Sequence, residues 1–174
     1  MALMEVTYGA VLAACARGNQ VDKALQMLRS MPSQQLTATS VAYTAVIAGY
    51  ARQAKVAEAE ELIGEMRQQG LAVDEVTYSA LVAAHARRGD LDAAKHVVSD
   101  MAMAKLRPTV VTWTSLLVAC AVAKPKRKDE CQRIFRQMVR CKVQPNETTL
   151  KTLKWALGGE KSSQLCQDLG LPLP

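Results

Sequence analysis

"VTYSALVAAH", residues 76–85, looks like a short amphipathic helix when read alone, but "VAYTAVIAGY" begins 35 residues earlier at Val41 and "VTWTSLLVAC" 35 residues later at Val111. Four aromatics, Tyr8, Tyr43, Tyr78 and Trp113, share that step. Behind each runs the same i, i+3, i+4, i+7 pattern of one helix face: Tyr8, Val11, Leu12, Cys15; Tyr43, Val46, Ile47, Tyr50; Tyr78, Leu81, Val82, His85; Trp113, Leu116, Leu117, Cys120. A period of this length marks a stacked repeat architecture.

A second helix follows in step, through Val21, Val56 and Leu91, then Ala24, Ala59 and Ala94, then Met31, Met66 and Met101. The fourth copy continues it with Cys131 and Met138, displaced by two because "KPKRK", residues 124–128, lengthens the turn that is "RGNQ", "RQAK" and "RRGD" elsewhere. The repeat therefore predicts a helical hairpin. Its first helix runs from the aromatic to the Arg before the turn, and its second from about Asp22, Ala57, Asp92 or Asp129 to the methionine. Small residues at matched places, Ala10, Ala45, Ala80 and Ser115 with Ala16, Ala51, Ala86 and Ala121, let helices approach closely. A hairpin of this kind cannot bury its apolar face alone, so hairpins stack, each on its neighbours, into an all-α solenoid whose hand the pattern leaves open.

With 174 residues the chain suits one domain. No stretch approaches the roughly 18 uninterrupted apolar residues of a membrane span. The start, "MALMEVTYGA", has neither a signal peptide's basic and apolar regions nor the Arg- and Ser-rich lead of an organelle transit peptide. The expectation is a chain that is untargeted, already processed, or a fragment, with the last two favoured. Five cysteines, Cys15, Cys120, Cys131, Cys141 and Cys166, sit in no C-x-x-C pair and near no histidine at zinc spacing, and are expected to be reduced core residues. No metal or cofactor is expected. Catalysis finds no motif either: deaminase signature, aspartate cluster and Gly-rich phosphate loop are all missing, and the expectation is that the chain is not an enzyme.

A 35-residue hairpin opening V-T-Y-(S/T)-x-L, closing its second helix on a methionine and followed by a loop with a branched residue (Leu36, Leu71, Leu106, Val143), resembles the pentatricopeptide repeat. The resemblance covers residues 5–39, 40–74, 75–109 and 110–146, with a half repeat at 147–157. The tetratricopeptide repeat differs in period and lacks this signature. After the half repeat, residues 158–174 read as a capping segment: a Gly-Gly turn, one short helix from about Ser162 to Leu169, and a Pro-rich end. The resemblance implies a right-handed superhelix that binds single-stranded RNA, one base per repeat, in a mitochondrion or plastid.

In that family the reading residues are the one after the aromatic and the last of the repeat. Here they pair Gly9 with Thr39, Thr44 with Asp74, Ser79 with Thr109, and Thr114 with Asn146. By resemblance Thr with Asp favours guanine and Thr with Asn adenine; a carboxylate only accepts, whereas an amide donates and accepts. Ser79 with Thr109 is a weak purine reader and Gly9 with Thr39 reads nothing. With the family's polarity the core target is 5′-N-G-(purine?)-A-3′. Thr39, Asp74, Thr109 and Asn146 also suit N-caps whatever the function, and the two roles can coexist.

Val6, Val41, Val76 and Val111, which by resemblance sandwich the bases, are equally open to a reading as helix-start packing. Arg17, Arg52 and Arg87 form a column at the end of the first helix, suited to phosphates or to the helix dipole; Lys124, Lys126, Arg127 and Lys128 stand near its fourth place, which Val122 occupies. Residues 1–104 carry 9 basic and 11 acidic groups, and residues 105–174 carry 13 and 5, so attraction for nucleic acid is concentrated at the carboxyl end.

Tyr8 stands so near the start that the first helix has a bare side, which further repeats, a second copy or a protein partner would cover. Four bases at roughly 1–3 kcal/mol each, less the cost of ordering a strand, leave micromolar to millimolar affinity. That weakness keeps open an alternative in which the chain is a structural or adaptor subunit of a large organellar assembly such as a ribosome.

Overall fold

The computed structural model describes residues 2–171, with side chains from Thr7 onward. Among the described residues there are ten α-helices and no strand: α1 (Ala2–Arg17), α2 (Val21–Ser30), α3 (Ser40–Arg52), α4 (Val56–Gln68), α5 (Glu75–Arg87), α6 (Leu91–Met103), α7 (Val110–Val122), α8 (Lys128–Arg140), α9 (Glu147–Leu157) and α10 (Gly159–Asp168). A short 3₁₀ turn, Pro32–Gln34, follows α2. In the second, third and fourth hairpins the first helix begins three residues before its aromatic, at Ser40, Glu75 and Val110, because the preceding Thr39, Asp74 and Thr109 supply the cap.

Two compact units divide the chain, residues 1–84 and 85–174. In the first, α1 packs on α2 and α3, and α3 packs on α2 and α4. Leu12, Val21, Leu28, Ile47, Leu62 and Met66 fill the space between them and are all buried. A Cβ on Gly49 would lie 2.8 Å from Val21 Cγ2, so α3 and α2 meet there at a distance only glycine allows. In the second unit α7 packs on α6, α8 and α9, and α9 packs on α8 and α10, around Leu117, Phe135, Met138, Leu153 and Cys166.

The turns explain why the period survives. The helices α4, α6 and α8, and the 3₁₀ turn after α2, are each followed by a left-handed residue, Gly70, Lys105, Lys142 and Gln35, and the next residue donates its N–H back to the methionine carbonyl: Leu71 to Met66, Leu106 to Met101, Val143 to Met138, Leu36 to Met31. In α4, α6 and α8 this is the Schellman closure. The first helices close in the same way, with Gln20 donating to Cys15 O, Lys55 to Tyr50 O and Asp90 to His85 O. In the fourth copy Arg127 donates to Cys120 O at 3.2 Å, the equivalent carbonyl reached with two more residues. The two extra residues of "KPKRK" are thereby absorbed locally.

Three sequence expectations need correcting. Val11 is 40% exposed, whereas its counterparts Val46, Leu81 and Leu116 are buried; among the described residues α1 packs on α2 and α3 alone. Cys120, Cys131 and Cys166 are buried and free as expected, but Cys15 is half-buried and Cys141 is exposed, because it lies past the last buried turn of α8. The last helix starts at Gly159 rather than near Ser162: Gly158, with φ of 92°, breaks the chain in one residue, and Ser162, Leu165 and Cys166 are the buried side of α10. The Pro-rich end falls at residues 172–174, outside the described residues.

Candidate nucleic-acid interface

Val41, Val76 and Val111 are 69%, 60% and 56% exposed, while the aromatics two residues on, Tyr43, Tyr78 and Trp113, are buried. These valines do not pack at the helix start; they stand out on the solvent side of α3, α5 and α7. The side chain of Val6 lies outside the described residues. One turn further along the same face come Thr44, Ser79 and Thr114, which are half-buried, buried and half-buried.

In the first unit Thr44 and Asp74 are joined by a residue between them. Asp74 Oδ1 caps α5, accepting from Thr77 N at 2.8 Å and from Thr77 Oγ1 at 2.7 Å, and Thr77 Oγ1 lies 2.7 Å from Thr44 Oγ1. Proton counting fixes the direction. A carboxylate only accepts, so the single hydroxyl proton of Thr77 goes to Asp74, and Thr44 must donate to Thr77. What remains for a ligand is two acceptors: the lone pairs of Thr44 Oγ1 and Asp74 Oδ2, the latter without a partner among the described residues.

The second unit repeats the arrangement around α9. Asn146 Oδ1 accepts from Thr149 N and Thr149 Oγ1, both at 2.9 Å, and Thr149 Oγ1 lies 2.8 Å from Thr114 Oγ1, which also approaches Val110 O at 2.7 Å. The cap fixes the amide with its oxygen inward, so Nδ2 faces out. Thr114 gives its proton to an internal acceptor on either alternative. This pair therefore presents one donor, Asn146 Nδ2, and one acceptor, Thr114 Oγ1.

The bridging threonines, Thr77 and Thr149, are fully buried and did not figure among the residues chosen from sequence. Their signal was the residue before each aromatic: Thr7, Ala42, Thr77 and Thr112, with Thr149 at the corresponding place in the half repeat. Ala42 breaks the column. Thr39 accordingly caps α3 through Ala42 N at 3.3 Å with no hydroxyl bridge, and a Cβ on Gly9 would meet nothing within 4 Å, so this pair is not connected by a bridging side chain. Thr109 caps α7 in a capping box with Thr112, and Ser79 lies buried on α5.

The cations divide into engaged and open groups. Arg52 donates to Ala16 O at 2.7 Å, satisfying a carbonyl at the end of α1, which is the helix-end role rather than a free charge. Arg127 forms a two-pronged ion pair with Asp92 at 3.1 and 3.3 Å, and Lys126 donates to Trp155 O at 3.0 Å. Arg17, Lys124 and Lys128 have no partner among the described residues, and Arg87 is exposed at the end of α5. On α9, Lys151 pairs with Glu147 at 2.6 Å, and this hydrogen bond holds the Glu147 carboxyl below its ordinary value. Among the described residues no cluster of three or more His, Cys, Asp or Glu is placed to hold a metal, and no helix is long and apolar enough to cross a membrane.

Comparison with known proteins sets this geometry in a family. The family model for the pentacotripeptide-repeat region of PRORP matches residues 3–162. Among solved structures, the pentatricopeptide repeat protein PPR10 in complex with an 18-nt psaJ RNA element is 27% identical, with a TM-score of 0.79 over 94% of this chain. PPR10 from maize is 25% identical over 98% of this chain, with a TM-score of 0.70. The chain spans about a quarter of the length of PPR10, 23% and 25% in these two cases. The PPR domain of Arabidopsis thaliana protein-only RNase P 1, in complex with tRNA, has a TM-score of 0.71 and 16% identity over 95% of this chain and 86% of its own, a likeness of fold. No curated protein sequence matches this chain. The solenoid of helical hairpins and the match over residues 3–162 make this chain a member of the pentatricopeptide-repeat family.

Proposed function

We propose that the chain binds single-stranded RNA, one base per repeat, and serves organellar RNA metabolism: processing, stability or translation. The observation that carries this reading is the pair of threonine-bridged sites whose outward polarity differs at the cap residue, an acceptor at Asp74 and a donor at Asn146. Two acceptors at Thr44 and Asp74 suit guanine, which offers two donors, N1–H and N2–H, where uracil offers one. A donor and an acceptor at Asn146 and Thr114 suit the N1 acceptor and N6 donor of adenine. Hydrogen-bond polarity alone also admits cytosine there, and the family resemblance selects the purine. With the amino end towards the 5′ end, the target core is 5′-N-G-purine-A-3′. The exposed Val41, Val76 and Val111 lie beside the bases in this reading, Arg17, Lys124 and Lys128 are the cations left for phosphates, and Arg87 is exposed in the same column as Arg17.

The relatives named above support the reading, since one was crystallised with an RNA element and another with tRNA. Binding of the purified chain to four-base RNAs, with purines or pyrimidines at the second and fourth places, at low and at physiological salt, tests it. A preference for G then A that Asp74→Ala and Asn146→Ala remove supports base readout. No binding even at low salt contradicts it. A second reading, a scaffold subunit held by protein contacts, draws on the engaged state of Arg52, Lys126 and Arg127, which weakens the grip on phosphates. It predicts that chain of this kind co-purifies with a protein assembly after ribonuclease treatment.

A further inference from the structure

Trp155 is 52% exposed, although tryptophan is a side chain that folding usually covers. It lies on α9 at i+7 from Thr148 and i+4 from Lys151, and all three are exposed, while Thr149, Thr152, Leu153 and Ala156 on the other side are buried. In the α7 register the corresponding residues are Val111, Thr114 and Val118. The exposed indole therefore occupies, on the half repeat, the helix face that carries Val111 and Thr114 one repeat earlier. Its surroundings are cationic. The Lys126 ammonium lies over the ring, 5.6 Å from its centroid, and donates to Trp155 O, and Lys151 and Lys154 are exposed on the same helix.

We propose that Trp155 is a stacking platform for one further nucleobase, 3′ of the predicted adenine, bound without regard to its identity. The inference rests on the RNA-binding reading above. An aromatic face accepts any base, and Lys126, held over one side of the indole, leaves the other side for the base. No base-specific choice accompanies it, because Lys151 stands where Thr44 and Thr114 stand and is paired with Glu147. The lengthened 124–128 turn thus places a cation against the half repeat.

The test uses the full chain and two RNAs, 5′-UGAAU-3′ and the same strand with an abasic fifth nucleotide. Trp113 is buried, so quenching of the fluorescence of the two tryptophans reports on Trp155. The wild-type chain should be quenched by the first RNA and bind it about tenfold more tightly than the second, a ratio that persists for a changed fifth base. Trp155→Phe should keep most of that ratio, and Trp155→Ala should bind both RNAs equally while melting like the wild type. Equal binding of the two RNAs by the wild-type chain would overturn the platform and leave the base readout standing. Loss of all binding to both would overturn the platform and the RNA-binding reading together. A shift of oligomeric state in Trp155→Ala without change in the ratio would assign the indole to a protein contact and overturn the proposal.

Discussion

The site around Asp74 and the site around Asn146 share a scaffold and differ in its outermost atoms. In both, a side-chain oxygen caps the following helix, a fully buried threonine passes a hydrogen bond to it, and a hydroxyl on the preceding first helix is tied in behind. In one the second atom of the cap is a carboxylate oxygen, and in the other an amide nitrogen. Capping fixes which atom of the cap residue faces outward. The first repeat, with Ala42 in place of the threonine, shows what remains without the bridge: a cap and no preorganised pair.

The largest effect is expected from Asp74→Asn. Asparagine also caps a helix, so the fold should hold, while the outward acceptor becomes a donor and selectivity at the second base moves from guanine towards adenine by about 10- to 100-fold, read by competition binding. Next in size, Thr77→Val should cost about 1–2 kcal/mol in urea unfolding, because the fully buried hydroxyl links Asp74 and Thr44, and should flatten the preference at the second base. Thr149→Val should do the same at the fourth base and leave the second unchanged. Smaller again, adding the missing parts to the first repeat, Gly9→Thr with Thr39→Asp and Ala42→Thr, should create a preference for guanine at the first base of about fivefold; there is open space at Gly9 for the new side chain.

Arg52→Ala and Arg17→Ala should separate cap from phosphate contact. The first should lower stability by about 1 kcal/mol without altering the salt dependence of RNA binding, and the second should reduce the salt slope by about 0.7 with stability unchanged. The smallest effect concerns Glu130, whose carboxyl is held below its ordinary value by the hydrogen bond from Lys95, against a lesser opposing effect of burial. A depressed folded value contributes stability above the unfolded value, roughly 4.3, which is lost as pH falls through the folded value. Wild type should therefore exceed Glu130→Gln by a few tenths of a kcal/mol at pH 6, the partly exposed pair being screened, and match it at pH 2.5.

The 35-residue step was legible because Tyr43, Tyr78 and Trp113 and the methionines Met31, Met66, Met101 and Met138 are buried core positions. The bridging threonines were not, since a threonine between a valine and an aromatic looks like ordinary β-branched filler, and Ala42 interrupts the column. The argininines' column was visible as charge, yet the partner of Arg52 is a carbonyl of the preceding hairpin, which only packing supplies. Likewise Lys126 and Arg127 counted as free cations until the lengthened turn set them against Trp155 and Asp92. Val11 matched the core pattern and is exposed, because a repeat pattern states which face is apolar and not what lies against it.

The most direct test is a crossed exchange, in which wild type and the double variant Asp74→Asn with Asn146→Asp are each titrated with 5′-UGAA-3′ and 5′-UAAG-3′. The opposite outward atoms of Asp74 and Asn146 predict that wild type prefers the first RNA and the double variant the second by a similar factor. Equal binding of both RNAs by both proteins, with the folds intact, would contradict it.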